Sequence, residues 1–261
     1  MATAKSPRQK REFLPIAGDN HGYSMAKPDA IELGTGELIP ILYEDRSVMA
    51  IDKPRHWMLV PYSWNKTDRN LHLAIDSSLR GGHFWARSRN LKFLRHIHRL
   101  DADTTGILLM ARSPGALDTY GNLFESRQME KKYWAVVEGI PKRPEWSCRL
   151  SIGPDLAKIG RMKIDTKAGK EAETHFKVLK EGRGITLIEA TPTTGRTHQI
   201  RIHLAQSGYP VIGDVLYGKH VPPARPLGLR AVFLGYRDPF TRRKVQINAP
   251  TAEFLREFEL D

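Results

Sequence analysis

The stretch His96-Ile-His-Arg-Leu-Asp-Ala-Asp-Thr-Thr-Gly106 is the densest polar cluster of the sequence, and the apolar run Ile107-Leu-Leu-Met-Ala111 follows it directly. A short apolar run of this kind predicts a buried strand. A polar loop that leads into a buried strand can hold a carboxylate rigidly beside a cleft. The stretch therefore predicts a strand at the centre of the fold and a candidate site in the loop before it.

The flanking sequence predicts further short strands and a few helices. Residues 197–203 alternate apolar and polar positions, which fits either the end of a strand or the opening turns of a helix that runs to Gln206. Ser113 is predicted to cap a helix whose first residue is Pro114. The pattern indicates an α+β protein, with strands at residues 39–45, 47–53, 107–111, 133–139 and 184–190 and a helix at residues 71–80 that ends at a glycine pair.

The composition is strongly basic. The 261 residues include 41 Lys and Arg against 29 Asp and Glu, which gives a formal net charge of +12 and a pI near 9.8. A surplus of this size favours polyanionic partners, because neutralising phosphates releases condensed counterions. Nucleic acid is the leading class of partner and an anionic membrane surface is the second, although many basic proteins bind neither.

Cysteine content and hydropathy bound the compartment. Cys148 is the only cysteine, which excludes internal disulfides and a zinc site built from several thiolates. No apolar run approaches the roughly 18 residues that span a membrane, and the N-terminus lacks the apolar core of a secretory signal. We therefore expect a cytoplasmic protein that does not contact a membrane.

Two segments are expected along the chain. Residues 1–37 are polar, carry several basic residues and show little periodicity. They predict a flexible basic arm that adds electrostatic affinity for nucleic acid, or equally a solvated tail without a role; an organellar transit peptide is a weaker option. Residues 38–261 contain no repeat, no low-complexity tract and no linker, so they are expected to form one catalytic domain.

Four motifs follow one another in the second segment: His98-Arg-Leu-Asp101 with its Thr-Thr-Gly turn, Lys131-Lys-Tyr133, Thr194-Gly-Arg-Thr-His-Gln-Ile-Arg-Ile-His203, and Gly208-Tyr-Pro-Val-Ile-Gly-Asp214 with Tyr217-Gly218. Their order and spacing resemble those of the RluA-type pseudouridine synthases, over roughly the whole catalytic domain. The departures are Thr105, where serine is usual, and Arg230, where histidine is frequent.

The resemblance implies the pseudouridine synthase fold, in which a mixed, largely antiparallel sheet has flanking helices and a central cleft. It also implies that the protein isomerises specific uridines to pseudouridine in structured RNA, either ribosomal or transfer RNA. This reaction exchanges a C–N for a C–C glycosidic bond without a redox change, so we expect no cofactor, no nucleotide and no metal. A monomer is expected.

Three residues are the catalytic candidates. The resemblance makes Asp101 the catalytic carboxylate, either as nucleophile or as general base. Arg201 is the candidate partner, because a neighbouring guanidinium keeps a carboxylate ionised in a dry pocket. Tyr133 has a ring that can stack on an extruded uracil and a hydroxyl that can assist proton transfer.

Five residues are the RNA-binding candidates. Arg99 resembles the family arginine that fills the position vacated by the target base, and a plain phosphate contact is the alternative. Arg196 suits a backbone phosphate, and Ile200 suits packing against the base. His98 and Lys132 complete the set, because each belongs to one of the motifs.

Other residues receive simpler expectations. His198 and His203 are expected to shape the third motif through hydrogen bonds, and Asp214 to hold a turn. A basic stretch interspersed with glycine predicts either a mobile hairpin that touches RNA or a solvated charged strand. Its cations are Lys158, Arg161, Lys163, Lys167 and Lys170.

Two other functions are open to such a sequence. A non-catalytic RNA-binding or ribosome-assembly protein of the same fold would retain the basic residues without needing Asp101. A metal-dependent hydrolase would use the histidines and aspartates of the first cluster as ligands, although the interleaved Arg99 opposes a bound dication. The candidate ligands are His96, His98, Asp101 and Asp103.

Overall fold

The computed structural model of the protein describes residues 26–59, 69–218 and 225–261. The strands are β1 Ala30–Glu32, β2 Leu38–Glu44, β3 Val48–Lys53, β4 Arg95–His96, β5 Thr105–Ala111, β6 Glu130–Glu138, β7 Glu145–Cys148, β8 Ile152–Pro154, β9 Met162–Ile164, β10 Thr174–Glu181, β11 Ile185–Pro192, β12 Leu229–Arg237 and β13 Lys244–Asn248. The helices are α1 Leu71–Arg80, α2 Phe84–Arg87, α3 Pro114–Glu125, α4 Gln199–Gln206 and α5 Ala252–Glu257.

Within the described residues, eleven strands form one sheet. Its order is β1-β2-β3-β5-β12-β6-β11-β10-β7, with β4 beside β5 and β13 beside β12. β5 and β12 are parallel, and the neighbouring pairs on either side of them are antiparallel. The prediction of a mixed, largely antiparallel sheet with flanking helices is confirmed. Every residue of β5 is buried, which places the predicted central strand inside the core.

Two helices begin at side-chain caps, and the predicted cap at Ser113 is confirmed. The Asn70 side chain accepts a hydrogen bond from the Leu73 amide at 3.2 Å and caps α1. The Ser113 hydroxyl does the same for the Ala116 amide at 3.2 Å at the start of α3. Side-chain caps of this kind satisfy amides that have no partner within the helix. None of the helices among the described residues is long and apolar enough to cross a membrane.

The sheet begins before Leu38, where the folded domain was expected to start. β1 pairs with β2, and Ile31 and Leu33 on either side of Glu32 are buried in the core. Two apolar positions in a polar context are too short a pattern to identify a strand, and only the tertiary contact with β2 defines it. The cations of the predicted arm, Lys5, Arg8, Lys10 and Arg11, lie outside the described residues.

Residues 199–206 form a helix, which decides between the two structures that their pattern allowed. α4 is buried on nearly all sides, because six of its eight residues are buried. Apolar residues at alternate positions are therefore compatible with a helix here, since no face needs to be polar. Ser207 ends α4, and Gly208 follows with a positive φ of 92°, which glycine adopts without strain.

The basic stretch forms a hairpin. β8 pairs antiparallel with β9, and the lysines at residues 158, 163, 167 and 170 are exposed. The apolar side chains of Leu156 and Ile159 at its tip are 89% and 98% exposed. Ile152 at the base of the hairpin packs against Ile202 of α4, so the hairpin is joined to the helix of the third motif.

Candidate active site

Asp101 lies in the loop of residues 97–104, which enters the middle of the sheet. β12 pairs with the first two residues of β5, and β4 pairs with the last two on the same edge. The edge of β5 between these two contacts is open to the loop. The sequence before a buried strand thus becomes a rigid loop at the point where two neighbouring strands diverge.

Gly106 allows β12 to approach the start of β5. Its φ is +103°, and a Cβ atom at this position would lie 2.1 Å from the carbonyl oxygen of Ala231 on β12. No side chain fits in that space. Glycine in the Thr-Thr-Gly turn is therefore needed for the parallel strand contact beside the site.

His98 and Lys53 anchor the loop of residues 97–104 to the interior of the protein. The His98 Nε2 atom accepts the Leu109 amide of β5 at 3.0 Å, and the ring stacks on Phe124 of α3. Burial, together with the charge of Lys131, lowers the pKa of His98 to about 3, so the ring is neutral and able to accept this bond. A histidine side chain here replaces the missing backbone acceptor of a neighbouring strand.

Lys53 is fully buried at the end of β3. Its Nζ atom donates hydrogen bonds to the carbonyl oxygens of Ala102 at 2.7 Å, Thr104 at 3.0 Å and Pro54 at 3.0 Å. Three carbonyls match the three protons of an ammonium group. Burial lowers the pKa of Lys53 to about 7, against the charges of Asp103 and Asp101, which raise it. Ala102 and Thr104, the residues on either side of Asp103, are thereby held by one buried amine.

Asp101 and Asp214 share the guanidinium of Arg201. The Nη1 atom of Arg201 donates to Asp101 Oδ2 at 2.9 Å, while Nε and Nη2 donate to the two oxygens of Asp214 at 2.8 Å each. Burial lowers the pKa of Arg201, but the bonds and charges of the two carboxylates outweigh burial and raise it. The guanidinium is therefore held in a fixed plane, and the expected pairing of Arg201 with Asp101 is present.

The Asp101 carboxylate faces a cleft that is open to solvent and is lined by both polar and apolar residues. Its side chain is 25% exposed, against 0% for Asp214. Tyr133 of β6 lines the same cleft, and burial, together with the charge of Asp101, raises the pKa of its phenol. Six predicted residues line this cleft: Arg99, Asp101, Tyr133, Arg196, Ile200 and Arg201.

Three of these residues form the wall and rim of the cleft. Arg99 is exposed and donates to the Thr197 hydroxyl at 3.3 Å. Arg196 donates from Nε to the Glu171 carbonyl at 2.9 Å. Ile200 is 6% exposed and lines the cleft, whereas Ile202, on another side of α4, packs in the core beneath the hairpin.

Two predicted RNA-binding residues do not line the cleft. His98 is engaged by β5 and α3, as described above. Lys132 pairs with Glu189 at 3.2 Å on the other face of β6. Because successive side chains of a strand point to opposite faces, Lys131 rather than Lys132 shares the face of Tyr133 and lines the cleft. The alternation could have identified Lys131 from the sequence.

His198, Tyr217 and Asp214 contribute more than the sequence indicated. His198 precedes α4 with a φ of +57°, and its Nε2 atom lies 3.9 Å from Asp101 Oδ1. Its Nδ1 atom contacts the Tyr217 hydroxyl at 2.8 Å. Asp214 holds the predicted turn, by accepting the amides of Leu216 and Tyr217, and the Arg201 fork as well. The pairing of Asp214 with Arg201 is visible only in the folded structure, so the sequence did not indicate this second role.

The four candidate ligands of a metal-dependent hydrolase have separate surroundings. His98 accepts from the β5 backbone, and Asp101 pairs with Arg201. Asp103 contacts His56 Nδ1 at 2.9 Å, on the exposed side of the loop. His96 lies in β4, with its ring against His72. Among the described residues, no group of three His, Cys, Asp or Glu side chains is arranged to hold a metal ion.

Comparison with known proteins identifies the class of enzyme to which this chain belongs. Residues 47–206 match the RNA pseudouridylate synthase family. The uncharacterized RNA pseudouridine synthase YlyB of Bacillus subtilis is 31% identical over 95% of this chain and 81% of its own length. Ribosomal large subunit pseudouridine synthase C of Vibrio vulnificus is 33% identical over 83% of this chain and 67% of its own length.

Solved structures agree on the fold. Human RNA Pseudouridylate Synthase Domain Containing 1 superposes with a TM-score of 0.67 at 24% identity, over 85% of this chain and 86% of that one. The chain therefore belongs to the RNA pseudouridylate synthase family, and it is an RNA pseudouridine synthase of the RluA type. The predicted family, fold and enzyme class are confirmed.

Proposed function

We propose that the protein converts specific uridines of ribosomal RNA to pseudouridine, with Asp101 as the catalytic carboxylate. One observation carries the proposal. Asp101 is the carboxylate that faces the cleft, and the buried arginine that holds it is itself fixed by two hydrogen bonds to Asp214. A carboxylate that is both anchored and accessible suits nucleophilic attack or proton abstraction.

The chemistry needs this one carboxylate and a place to turn the base. The N1–C1′ bond of uridine breaks, the C5–C1′ bond forms, the proton on C5 is lost and N1 gains a proton. No electrons are gained or lost overall. Asp101 can attack the sugar or remove a proton from it, and Arg201 stabilises the carboxylate in the charged form that either step requires.

The cleft has the features that an extruded nucleotide requires. The target base has to leave its stack before the enzyme can reach it. Tyr133 and Ile200 offer an aromatic and an aliphatic surface on which the base can pack. Arg99 and Arg196, at the rim, are placed to contact the neighbouring bases and phosphates. Lys131 adds a cation inside the cleft.

The choice of ribosomal RNA rests on the relatives. Several proteins that match most of the chain are named ribosomal large subunit pseudouridine synthase C. The net charge of +12 agrees with a large polyanionic substrate. We further propose that the protein works in the cytoplasm as a monomer, and that the basic residues of the N-terminal segment before β1 add electrostatic affinity. Its single cysteine, Cys148, is free and buried, in agreement with a reducing compartment.

Tritium release tests the reaction. RNA transcribed with uridine labelled by tritium at C5 releases the label when the C5 proton is lost. We expect the parent protein to release tritium from large-subunit ribosomal RNA in the presence of EDTA. Asp101→Asn should reduce the single-turnover rate by about a thousandfold or more, because the essential carboxylate is lost. Its RNA affinity, measured by filter binding, should stay within about threefold.

Asp103→Asn is the matched control, since Asp103 lies two residues away in the same loop but does not line the cleft. It should stay within about threefold of the parent rate. Considerable activity in Asp101→Asn would contradict the assignment of Asp101. Release from transfer RNA alone would contradict the ribosomal substrate, and binding without release from either RNA would favour the non-catalytic alternative.

A further inference from the structure

Tyr217 lies between the basic hairpin and the ion pair that holds Asp101. The guanidinium carbon of Arg201 lies 5.3 Å from the centre of its ring, and that of Arg161, next to β9, lies 5.4 Å away. Cations at this distance over an aromatic ring are attracted to it. The ring thus contacts one cation of the hairpin and the cation that holds Asp101.

The hydroxyl of Tyr217 has one partner on the hairpin and one in the active site. The Met162 amide donates to this oxygen at 3.0 Å, and His198 Nδ1 lies 2.8 Å from it. The Met162 amide can only donate, so the oxygen acts as acceptor on that side. The hydroxyl proton has no other acceptor among the hydrogen bonds of the described residues, and it is left to donate to His198 Nδ1.

This arrangement fixes the tautomer of His198. Burial lowers the pKa of His198, so the ring is neutral and carries one proton. With Nδ1 accepting from Tyr217, that proton is on Nε2, which lies 3.9 Å from Asp101 Oδ1. The opposite tautomer would turn a nitrogen lone pair toward a carboxylate. Both contacts therefore favour the same form, in which an N–H dipole points at Asp101.

We propose that Tyr217 is a positioning residue for Asp101, which acts by holding His198 with its Nε2–H toward the carboxylate and by linking this contact to the hairpin. The inference rests on the proposed catalytic function of Asp101. His198 needs such a support, because a non-glycine residue with a φ of +57° is strained and is retained only where its surroundings hold it.

The connection between the two regions is short. Met162 begins β9, directly after Arg161, and the hairpin carries the exposed side chains of Lys158 and Lys163. One backbone amide and one side chain thus join the hairpin to the histidine beside the catalytic carboxylate.

Tyr217→Phe tests the proposal, because it removes the hydroxyl and keeps the ring under Arg201. We expect the single-turnover rate on the RNA identified by tritium release to fall about tenfold, as the loss of one hydrogen bond predicts. The dissociation constant for that RNA should change less than twofold. Tyr209→Phe is the matched control, since its hydroxyl accepts the Lys142 amide outside the cleft, and it should keep the parent rate.

Long-range ¹H–¹⁵N NMR of ¹⁵N-histidine-labelled protein gives a second measurement that needs no RNA. The His198 signals, assigned by their loss in His198→Gln, should show a protonated Nε2 in the parent and a mixture of tautomers in Tyr217→Phe. A protonated Nδ1 in the parent, or an unchanged rate and tautomer in the variant, would overturn the inference. Failure of the proposed function appears differently, as a parent that releases no tritium.

Discussion

Two arginines in the middle of the protein bind aspartates, and they differ in what the pair faces. Arg230 of β12 donates to Asp52 of β3 at 2.7 Å and to the Pro250 carbonyl at 3.0 Å. Arg201 of α4 donates to Asp101 and Asp214 together. The first pair joins elements of the folded sheet and does not line the cleft, while the second opens into it.

The difference lies in the number of carboxylates per guanidinium. Asp52 and Arg230 neutralise each other, which is what a structural ion pair requires. Asp214 alone would suffice to neutralise the charge of Arg201. Asp101 is therefore an additional anion: a hydrogen bond from Arg201 orients it, but no further cation of this group neutralises its charge. A buried arginine that already has a partner can thus hold a second carboxylate in a reactive, ionised state.

Replacing each arginine by lysine separates the two roles and should give the largest effect. Lysine keeps the charge but cannot form the planar fork, so Arg201→Lys loses either Asp214 or Asp101. We expect its single-turnover rate to fall about a hundredfold or more. Arg230→Lys should stay within about threefold of the parent rate.

Both substitutions should lower the free energy of unfolding, because each disturbs a buried ion pair that costs about 3–5 kcal/mol to break. Urea denaturation followed by circular dichroism measures this loss. Similar destabilisation with a difference in activity would support the distinction between the two pairs. An equal loss of activity in both variants would show that the second carboxylate of Arg201 has no special role.

The buried amine of Lys53 provides a second test of how Asp101 is held, because the protonation of this amine depends on pH. Below its pKa of about 7, the ammonium group offers one proton to each of three carbonyls; above it, the amine offers only two. The loop that carries Asp101 should then be held less firmly. We expect the single-turnover rate to fall about tenfold between pH 6.5 and 8.5.

The stability of the protein should change in the opposite direction. The pKa of Lys53 is lower in the folded state than the ordinary 10.5, so the unfolded state binds more protons between about pH 7 and 10.5. This group therefore makes the free energy of unfolding rise with pH across that window, by up to about 1.4 kcal/mol per pH unit.

Lys53→Met should be about tenfold slower than the parent below pH 7 and should lack the fall in rate above pH 7. Lys180→Met is the control, since Lys180 also donates to two carbonyls but lies at the surface near the C-terminus. It should leave the pH profile of the rate unchanged. A fall in rate that persists in Lys53→Met would assign the titration to another group.

Local signals in the sequence predicted the elements that depend on neighbouring residues. The capped start of α3 follows from Ser113, the end of α1 from the glycine pair after it, and β5 from an apolar run after a polar loop. The motif that contains Asp101 and the motif that contains Arg201 were expected to meet, and they do. Short stretches of sequence, or a family pattern, are sufficient to predict these features.

The remaining features depend on contacts between distant parts of the chain. Lys53 reads as an ordinary polar residue at the end of a strand, and only the packed loop reveals its three carbonyls. His98 belongs to the motif of Asp101, yet its ring serves the backbone of β5. The spacing of apolar residues in α4 fitted both a strand and a helix, because a helix that is buried on nearly all sides has no polar face to mark its period.

Lys131 and Lys132 provide the smallest test, because adjacent residues on β6 face different surroundings. Lys131 lines the cleft and Lys132 pairs with Glu189 on the opposite face. Lys131→Gln should weaken RNA binding about three- to tenfold and lower the slope of log affinity against log salt by about one, as the loss of one phosphate contact predicts. Lys132→Gln should change RNA affinity less than twofold, because Lys132 pairs with Glu189 on the face of β6 opposite to the cleft. The loss of this half-exposed pair should lower the free energy of unfolding by at most about 1 kcal/mol. Filter binding at four salt concentrations measures both. The reverse result would place the RNA on the other face of β6.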